Sequence, residues 1–266
     1  MPKPKVYLRK KYKGGTSSAN QLAKELGIKC VGKSTQLSDS SKPILINWGL
    51  SHPQSYPAQL INVPLFVGIA ANKLLAYQKM AVSCPDLLIP WWTSLESINY
   101  TGRIVARTKL TGSCGEGIVT FKMSDDIKPE AKLYTKYIKN RIEFRVHVGF
   151  IGDEFDYSMQ RKRRLTTEEL EARGIYDRDL RIRNTNNGYI YSTNLDIDDE
   201  LECKIAWAAQ RAMDSLDLDF GAVDIIYDTK NKSILVLEVN TAPGINSELT
   251  HEFYFKYFTN LLSTIS

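Results

Sequence analysis

Cysteine is scarce in this chain of 266 residues, and the four that are present, Cys30, Cys84, Cys114 and Cys203, lie far apart. Without a Cys-x-x-Cys pair or a nearby histidine, they indicate neither a disulfide scaffold nor a zinc site. Long apolar runs are also missing: no window approaches the roughly 18 residues of a membrane span, and residues 1–9 lack the apolar core of a signal peptide. We therefore expect reduced thiols, a cytoplasmic location and no membrane partner.

Internal repeats and low-complexity tracts are absent from the sequence, and its 43% hydrophobic and 24% charged residues are typical of a globular protein. The length predicts one large domain or two small ones. The net charge of +5 is unevenly spread, because no acidic residue precedes Glu25 and a second basic cluster lies at 161–164. Such patches attract phosphate groups. No basic motif with interleaved aromatic side chains is present, so a nucleic-acid partner is not favoured.

The secondary-structure patterns predict a mixed α and β protein. Short apolar strands and helices alternate up to residue 92, as in an α/β region. From residue 104 strands dominate, interrupted by an amphipathic helix at 199–216. This change places a domain boundary near residues 92–102. The predicted strands are 6–8, 43–49, 104–110, 117–121, 133–138, 142–150, 155–160, 189–192, 222–227 and 234–239.

The last two predicted strands form a hairpin that carries acidic residues in an otherwise apolar sequence. Glu238 and Asn240 are two positions apart and therefore share one face of their strand. A turn centred on Asn231 places Asp224 directly opposite Glu238. Two facing carboxylates repel each other, and a hard divalent cation such as Mg²⁺, which takes Asp, Glu and Asn oxygens, removes that conflict. The alternative is a pair of carboxylates on a solvated face.

A glycine-rich turn at 111–118 joins two predicted strands. It lacks the Gly-Lys-Ser/Thr of a P-loop and is followed by a strand, so it is not a dinucleotide fingerprint. Glycines at a hairpin tip let main-chain N–H groups approach an anion closely, although a plain flexible turn explains the pattern equally well. Arg107 and Lys109 lie on one face of the preceding strand and favour phosphate. The candidate residues of the turn are Gly112, Ser113, Gly115 and Gly117.

Strict alternation of polar and apolar residues marks the strand that contains Glu143, Arg145 and His147. These three side chains share one face of the strand. An antiparallel strand with its polar face in water gives the same pattern, so alternation alone does not separate a solvated face from a ligand site.

The order of these segments resembles the ATP-grasp superfamily of ligases over nearly the whole chain. Residues 71–90 resemble the helix and connector before the ATP domain, and residues 105–118 resemble the glycine flap over the triphosphate. Residues 133–148 resemble the adenine hinge and the ribose-binding strand. Residues 216–245 resemble the metal-binding end, with Glu-Val-Asn-Thr-Ala-Pro-Gly at 238–244 as the most specific string. The branch that the sequence resembles is that of RimK and glutathione synthetase.

The resemblance implies an α+β architecture, in which an α/β N-terminal region precedes an ATP-grasp fold of two α+β subdomains that grip ATP between antiparallel sheets. It implies a substrate domain at 1–92 and an ATP-grasp domain at 93–266. A smaller glycine-flap subdomain would span about 93–135 and a larger metal-binding subdomain 136–266. The N-terminal domain would supply part of the substrate pocket.

The resemblance also implies a phosphate and metal site. Asp224, Glu238 and Asn240 would hold one or two Mg²⁺ ions, for which Mn²⁺ can substitute, at the phosphates of ATP. The glycine turn would close over the β- and γ-phosphates. The family usually has a lysine at the end of the strand before this turn. Here Arg107 is nearest to that position, with Lys109 two residues later.

The remaining implied residues contact the nucleoside and the reacting groups. Main-chain atoms of the 135–138 segment would meet the adenine edge, and Glu143 would bind the ribose hydroxyls. Arg145 and the Arg161–Arg163 cluster would neutralise phosphate charge. The implied adenine-site residues are Lys136, Tyr137 and Ile138, and the implied substrate-contacting residues are Arg183 and Asn184, with Arg145 and Arg161 completing the catalytic set.

The implied reaction is carboxylate–amine ligation. ATP phosphorylates a substrate carboxylate to an acylphosphate, and an amine then attacks the acyl carbon, so that an amide, ADP and phosphate result. The partners would be small-molecule or peptide carboxylates and amines, and a homo-oligomer is compatible with the aromatic C-terminal helix. Three alternatives stay open: a kinase of the same fold that phosphorylates a hydroxyl, a non-catalytic nucleotide-binding protein, and a nucleic-acid-associated ATP-binding protein.

Overall fold

The computed structural model describes residues 5–10, 18–33, 35, 37, 42–53, 58–112, 115–245 and 247–265. Its strands are β1 (Val6–Lys10), β2 (Lys29–Val31), β3 (Ile44–Trp48), β4 (Gln59–Ile61), β5 (Trp91–Trp92), β6 (Arg103–Arg107), β7 (Ile118–Lys122), β8 (Leu133–Lys136), β9 (Arg141–Ile151), β10 (Glu154–Arg164), β11 (Tyr189–Ser192), β12 (Phe220–Asp228) and β13 (Ser233–Asn240). Its α-helices are α1 (Ser18–Glu25), α2 (Pro64–Ala71), α3 (Lys73–Ser83), α4 (Thr167–Ala172), α5 (Asp199–Ser215) and α6 (Glu248–Ile265).

The N-terminal region is a four-stranded parallel sheet in the order β2-β1-β3-β4. Helix α1 follows β1 and is succeeded by Gly27, whose φ of +64° suits a residue without a side chain. The apolar residues of this sheet pack against α6 and against Phe220, so the sheet is joined to the rest of the chain by a shared core. At the end of β3, Gly49 has φ +78°, and a Cβ there would lie 2.5 Å from the Ala242 side chain.

A five-stranded antiparallel sheet, in the order β11-β10-β9-β12-β13, forms the centre of the molecule. Its two faces differ because alternate residues point to opposite sides. Val146, Val148, Val223 and Ile225 belong to the main apolar core, which α5 covers. The opposite face carries the polar side chains of β9, and these are buried, so a solvated polar face is excluded: Glu143 is 3% exposed and His147 0%.

A smaller antiparallel sheet, in the order β5-β8-β6-β7, faces the polar side of the large sheet across a cavity. The glycine-rich turn connects β6 to β7. Gly115 and Gly117 adopt φ values of +81° and +72°, which explains why glycine is needed at these two positions. Ser113 and Cys114, at the tip of the turn, lie outside the described residues.

The hairpin of β12 and β13 brings Asp224 opposite Glu238, as the sequence predicts, although the register of the hairpin differs from the predicted one. The turn is one residue shorter than the sequence suggests, since Asp228 pairs with Ser233 and Ile225 with Val236. With that register alone, Asp224 would face Leu237. A β-bulge between Asp224 and Ile225 restores the pairing of the two carboxylate residues.

The α+β fold class predicted from the sequence is confirmed by this arrangement of one parallel and two antiparallel sheets. The segment after α3 contains a short 3-10 turn at Pro85–Leu87. None of the helices in the described ranges is both long enough and apolar enough to span a membrane. The division into domains at residue 92 stays a prediction.

Candidate active site

The cavity between the two antiparallel sheets has a volume of about 230 Å³. The small sheet contributes Val105, Thr120 and Thr135, and the loop at 181–185 closes one side. Most of the site residues predicted from the sequence line this cavity. They are Arg107, Gly115, Lys136, Tyr137, Ile138, Glu143, Arg145, Arg183, Asn184, Asp224 and Glu238.

Positive charge dominates the cavity. Its lining contains seven lysine or arginine side chains against three carboxylates, an excess of four positive charges. Like charges gathered around a partly buried cavity repel each other unless an anion enters. The arrangement therefore favours a ligand with several negative charges.

Asp224 is held by Arg145, its Cα partner across β9 and β12. The guanidinium donates to both carboxylate oxygens, with Nε–Oδ1 at 2.7 Å and Nη2–Oδ2 at 2.8 Å. Burial by itself raises the pKa of Asp224, but Arg145 outweighs it, so the pKa lies below its ordinary value. The ring of Tyr191 lies 4.4 Å from the Arg145 guanidinium carbon. Burial, together with Asp224, raises the pKa of Tyr191 to about 12.

Glu143 lies on β9 two residues before Arg145 and is surrounded by three cations. Arg141 Nε lies 2.5 Å from Oε1, Lys162 Nζ lies 2.9 Å from Oε2, and Arg183 Nε lies 3.7 Å from Oε1. Burial alone raises the pKa of Glu143, but Lys162, Arg141 and Arg183 together lower it below its ordinary value. The carboxylate is thus ionised at neutral pH. Because a carboxylate offers about four acceptor positions, room remains for a ligand hydroxyl.

Arg107, at the end of β6, is the least compensated charge of the site. Its side chain lines the cavity and the residue is 5% exposed. Among the described residues, no carboxylate lies within ion-pair distance of Arg107, and its buried Nε has no hydrogen-bond partner. An unpaired buried cation is costly, so its retention in the cavity wall indicates an anionic ligand.

Glu238 pairs with Lys73 at the start of α3, with Nζ–Oε2 at 3.4 Å. The same ammonium group donates to the Gly112 carbonyl at 3.2 Å and so links the glycine turn to Glu238. Asn240 lies two positions further along β13, where its buried Nδ2 has no partner among the described residues. The described part of the chain contains no group of three or more His, Cys, Asp and Glu side chains suited to a metal. The candidate set is therefore two carboxylates and one amide oxygen, donors that suit a hard cation which also takes ligand oxygens.

The hinge between the sheets has few free main-chain donors. The Lys136 amide donates to the Pro90 carbonyl and the Tyr137 amide donates to the Arg103 carbonyl, each at 2.9 Å. The Ile138 carbonyl accepts from Arg141 at 2.5 Å. Within the described ranges the Ile138 amide makes no such bond, so it is the hinge donor that remains for a ligand.

Five predicted site residues do not line the cavity in the structure. Lys109 is exposed and pairs with Glu116. The Arg161 guanidinium donates to Asp196 at 2.6 Å, because neighbouring residues of a strand point to opposite faces and Lys162 occupies the cavity face. Gly112, Gly117 and Asn240 are also absent from the cavity wall, and Ser113 falls outside the described residues.

The glycine turn touches the loop that carries Arg183 and Asn184. A Cβ at Gly115 would lie 2.7 Å from Asn184 Nδ2 and 3.2 Å from the Ile182 side chain. Gly115 therefore lines the cavity and meets the candidate substrate residue Asn184.

Several residues of the site were not individual candidates from the sequence. They include Lys73, Arg141, Lys162, Arg181 and Tyr191. Lys162 and Tyr191 face each other across β10 and β11, and the alternation of β10 is the signal that could have separated Lys162 from Arg161. Arg141 shares the face of β9 that carries Glu143, so extending the alternation by two residues could have found it. Lys73 reaches the site only through packing between distant segments, which no local pattern reveals.

Comparisons with known proteins support the fold. Residues 131–255 match the family model described as D-ala D-ala ligase C-terminus. D-alanyl-alanine synthetase A from Vibrio cholerae superposes with a TM-score of 0.67 at 14% identity, covering 98% of each chain. N5-carboxyaminoimidazole ribonucleotide synthetase from Thermotoga maritima gives 0.65 at 13% identity, covering 97% of this chain and 76% of that chain. D-alanine–D-alanine ligase from Bacillus anthracis complexed with ATP gives 0.62 at 13% identity, covering 98% and 96%.

A search of curated proteins finds no significant match. The structural matches do not single out the RimK and glutathione-synthetase branch that the sequence suggested. The coverage of nearly the whole chain, the two antiparallel sheets that enclose a polar cavity and the family-model match agree with one another. The predicted resemblance to the ATP-grasp superfamily is confirmed, and the chain has the ATP-grasp fold.

Proposed function

We propose that this protein is an ATP-dependent carboxylate–amine ligase that forms an amide through an acylphosphate and releases ADP and phosphate. The observation that carries the proposal is the cavity itself. It combines an uncompensated buried Arg107 and an excess of positive charge with a facing pair of carboxylates, Asp224 and Glu238. A polyphosphate would bind the excess of positive charge, and a divalent cation would bind the two carboxylates.

The cations would act on the phosphates. Arg107, Arg145 and Lys162 all face the cavity and can donate to phosphate oxygens, so that charge transferred to the leaving ADP is neutralised. The glycine turn from Gly112 to Gly117 would cover the β- and γ-phosphates, excluding water from the acylphosphate. Lys109 and Arg161 pair with Glu116 and Asp196 outside the cavity wall, so we assign them no part in this step.

Asp224, Glu238 and Asn240 would hold one or two Mg²⁺ ions, with Mn²⁺ as a substitute. The oxygen donors fit a hard cation. In the structure Glu238 pairs with Lys73 and Asp224 pairs with Arg145. Phosphate groups can take over these two cations and so leave the carboxylates to the metal ion. A bound ion supplies electrophilic activation of the γ-phosphoryl group. The protein contributes the fixed spacing of the ligands on paired strands.

The nucleoside would bind at the hinge. The Ile138 amide can donate to the base, and Lys136 and Tyr137 line the same end of the cavity. Glu143 would accept from the ribose hydroxyls while Arg141, Lys162 and Arg183 hold its carboxylate in place. Ionised Glu143 is suited to this role because it accepts hydrogen bonds only.

The substrates would react beside the triphosphate. A carboxylate oxygen attacks the γ-phosphorus as the bond to ADP breaks, and an amine then attacks the acyl carbon, loses a proton and expels phosphate. Arg183 and Asn184 would contact these substrates next to the glycine turn. The N-terminal region would border the pocket, since the end of β3 at Gly49 abuts Ala242, two residues after Asn240. Positioning and charge neutralisation suffice, and no protein nucleophile is required.

ADP release from Mg-ATP with pooled carboxylic acids, amino acids and small peptides, in the presence of hydroxylamine, tests the proposal. The expected result is ADP together with a hydroxamate, which reports an acylphosphate and identifies the carboxylate. The Glu238→Gln variant serves as the inactive control. ADP accompanied by a phosphorylated hydroxyl compound and no hydroxamate would replace the ligase with a kinase.

A further inference from the structure

A second cavity lies along β10, away from the nucleotide site, and has a volume of about 390 Å³. We call it the edge groove. Residues 156–159 of β10 form its wall, and the segment at 193–195, α5 and α6 supply the remainder. The full lining is Asp156, Tyr157, Ser158, Met159, Thr193, Leu195, Glu202, Leu249, Glu252, Phe253 and Lys256. None of these residues lines the cavity between the sheets.

The edge groove follows an unpaired strand edge. Strand β11 pairs with residues 161–164 of β10, so residues 154–160 have β9 on one side and no strand of the described part of the chain on the other. Tyr157 and Met159 point toward the core that α5 covers, whereas Ser158 is opposite His147 on the face that α6 covers. Because residues from both faces line it, the groove wraps around the edge itself.

Main-chain groups along this edge have no strand partner in the described part of the chain. In the described ranges, no main-chain hydrogen bond reaches residues 154–160 from outside the ladder with β9. The Tyr157 amide instead donates to the neighbouring Asp156 carboxylate at 2.8 Å. Ser158 is 8% exposed, yet its hydroxyl has no partner among the described residues.

The charge of the groove is opposite to that of the chain. Asp156, Glu202 and Glu252 line it, and its single lysine, Lys256, is already paired with Glu252 at 2.7 Å. The chain as a whole carries a net charge of +5. The apolar floor of the groove includes Leu249, which is 39% exposed. An acidic groove with an apolar floor complements a segment that carries basic and apolar side chains.

We propose that the edge groove binds an extended peptide with lysine or arginine side chains, which adds to β10 as a further strand. Main-chain groups of the peptide would pair with residues 154–160, the mode of recognition that open sheet edges support. Its basic side chains would meet Asp156 and Glu252 on one face and Glu202 on the other. This binding is independent of the nucleotide site and of the proposed reaction.

A positional-scanning library of acetylated hexapeptide amides, tested for binding to the full chain at low salt, is the first experiment. We expect enrichment of lysine and arginine, and binding that weakens as salt is added. The tightest peptide is then labelled and titrated by fluorescence anisotropy. Asp156→Lys/Glu252→Lys should weaken binding at least tenfold. The matched control Glu130→Lys/Glu171→Lys, which reverses two exposed carboxylates elsewhere, should leave it within twofold.

Strand addition has its own signature. N-methylation of alternate peptide amides should abolish binding in one register and spare it in the other, and the amides of residues 155–159 should gain protection from hydrogen exchange. No enrichment, enrichment of acidic peptides, or equal loss in the control variant would overturn the proposal. Self-association of the chain that Asp156→Lys abolishes would also overturn it, since the edge would then pair with a second copy.

Discussion

Replacing Arg107 with methionine separates the requirements of binding from those of folding. The guanidinium is buried in the cavity wall with no carboxylate within ion-pair distance in the described part of the chain. Methionine is close in volume to the arginine stem and removes the charge. We therefore expect Arg107→Met to weaken ATP binding while the free protein becomes more stable.

The expected magnitudes follow from the surroundings of the charge. A lost hydrogen bond between arginine and phosphate corresponds to about 1.5–3 kcal/mol of binding free energy, or a roughly 10- to 150-fold higher Kd. Removal of an uncompensated buried charge stabilises a protein by about 1–2 kcal/mol, within the range found when buried ions are replaced by apolar residues. For a chain of this size that corresponds to a rise in Tm of roughly 2–8 °C.

Arg145→Met is the contrasting variant. It also removes a cavity-lining arginine, but it leaves buried Asp224 without its bidentate partner, so we expect a loss of about 3 kcal/mol in the free energy of unfolding. Isothermal titration with ATP and urea unfolding without nucleotide measure the two quantities for both variants. A destabilised Arg107→Met protein, or one with unchanged ATP affinity, would refute the assignment of Arg107 to a phosphate.

Three further predictions concern the acidic residues and the buried histidine. Glu143→Gln leaves three cations uncompensated and should lower the free energy of unfolding by about 3 kcal/mol. Glu169→Gln, in a partly exposed pair with Arg163, should lower it by under about 1 kcal/mol. Similar losses in urea unfolding would contradict the role of burial. Glu238→Gln should abolish Mg-ATP turnover with little change in Tm, because its pair with Lys73 is partly exposed; a folded, active variant would remove Glu238 from the metal site. Burial, reinforced by Arg145, lowers the pKa of His147 to about 3, so between that value and the ordinary pKa the unfolded chain binds a proton that the folded chain does not. The free energy of unfolding should therefore rise from about pH 4 to 6.5, by at most about 1.4 kcal/mol per pH unit. An unchanged slope in the His147→Gln variant would contradict this.

The sequence predicted elements whose determinants are local. Apolar residues at helical spacing in 72–82 are such a local signal, and in the structure the Asn72 side chain caps the first turn of α3 by accepting from the Leu74 amide. Thr166-x-x-Glu169 is the local sequence of a capping box, and in the structure Thr166 and Glu169 exchange hydrogen bonds. The facing of Asp224 and Glu238 was also predicted, although it depends on a β-bulge that hairpin counting does not reveal.

Features that depend on distant packing were not accessible in this way. The alternation in β9 placed Glu143 and Arg145 on one face but left open whether water or protein covers it, since burial depends on the small sheet and on α6. The three cations around Glu143 come from β9, β10 and the loop at 181–185. Their convergence is a property of strand order, which local periodicity does not encode.

Transfer of oxygen from the carboxylate substrate to phosphate tests the acylphosphate route most directly. The carboxylate identified by hydroxamate formation is labelled with ¹⁸O and incubated with the protein, Mg-ATP and its amine, and the released phosphate is analysed by mass spectrometry. The ligase mechanism requires one ¹⁸O atom in each phosphate formed, because the carboxylate oxygen that attacks the γ-phosphorus leaves with it. Phosphate free of label, formed at the same rate as ADP, would contradict the proposed reaction.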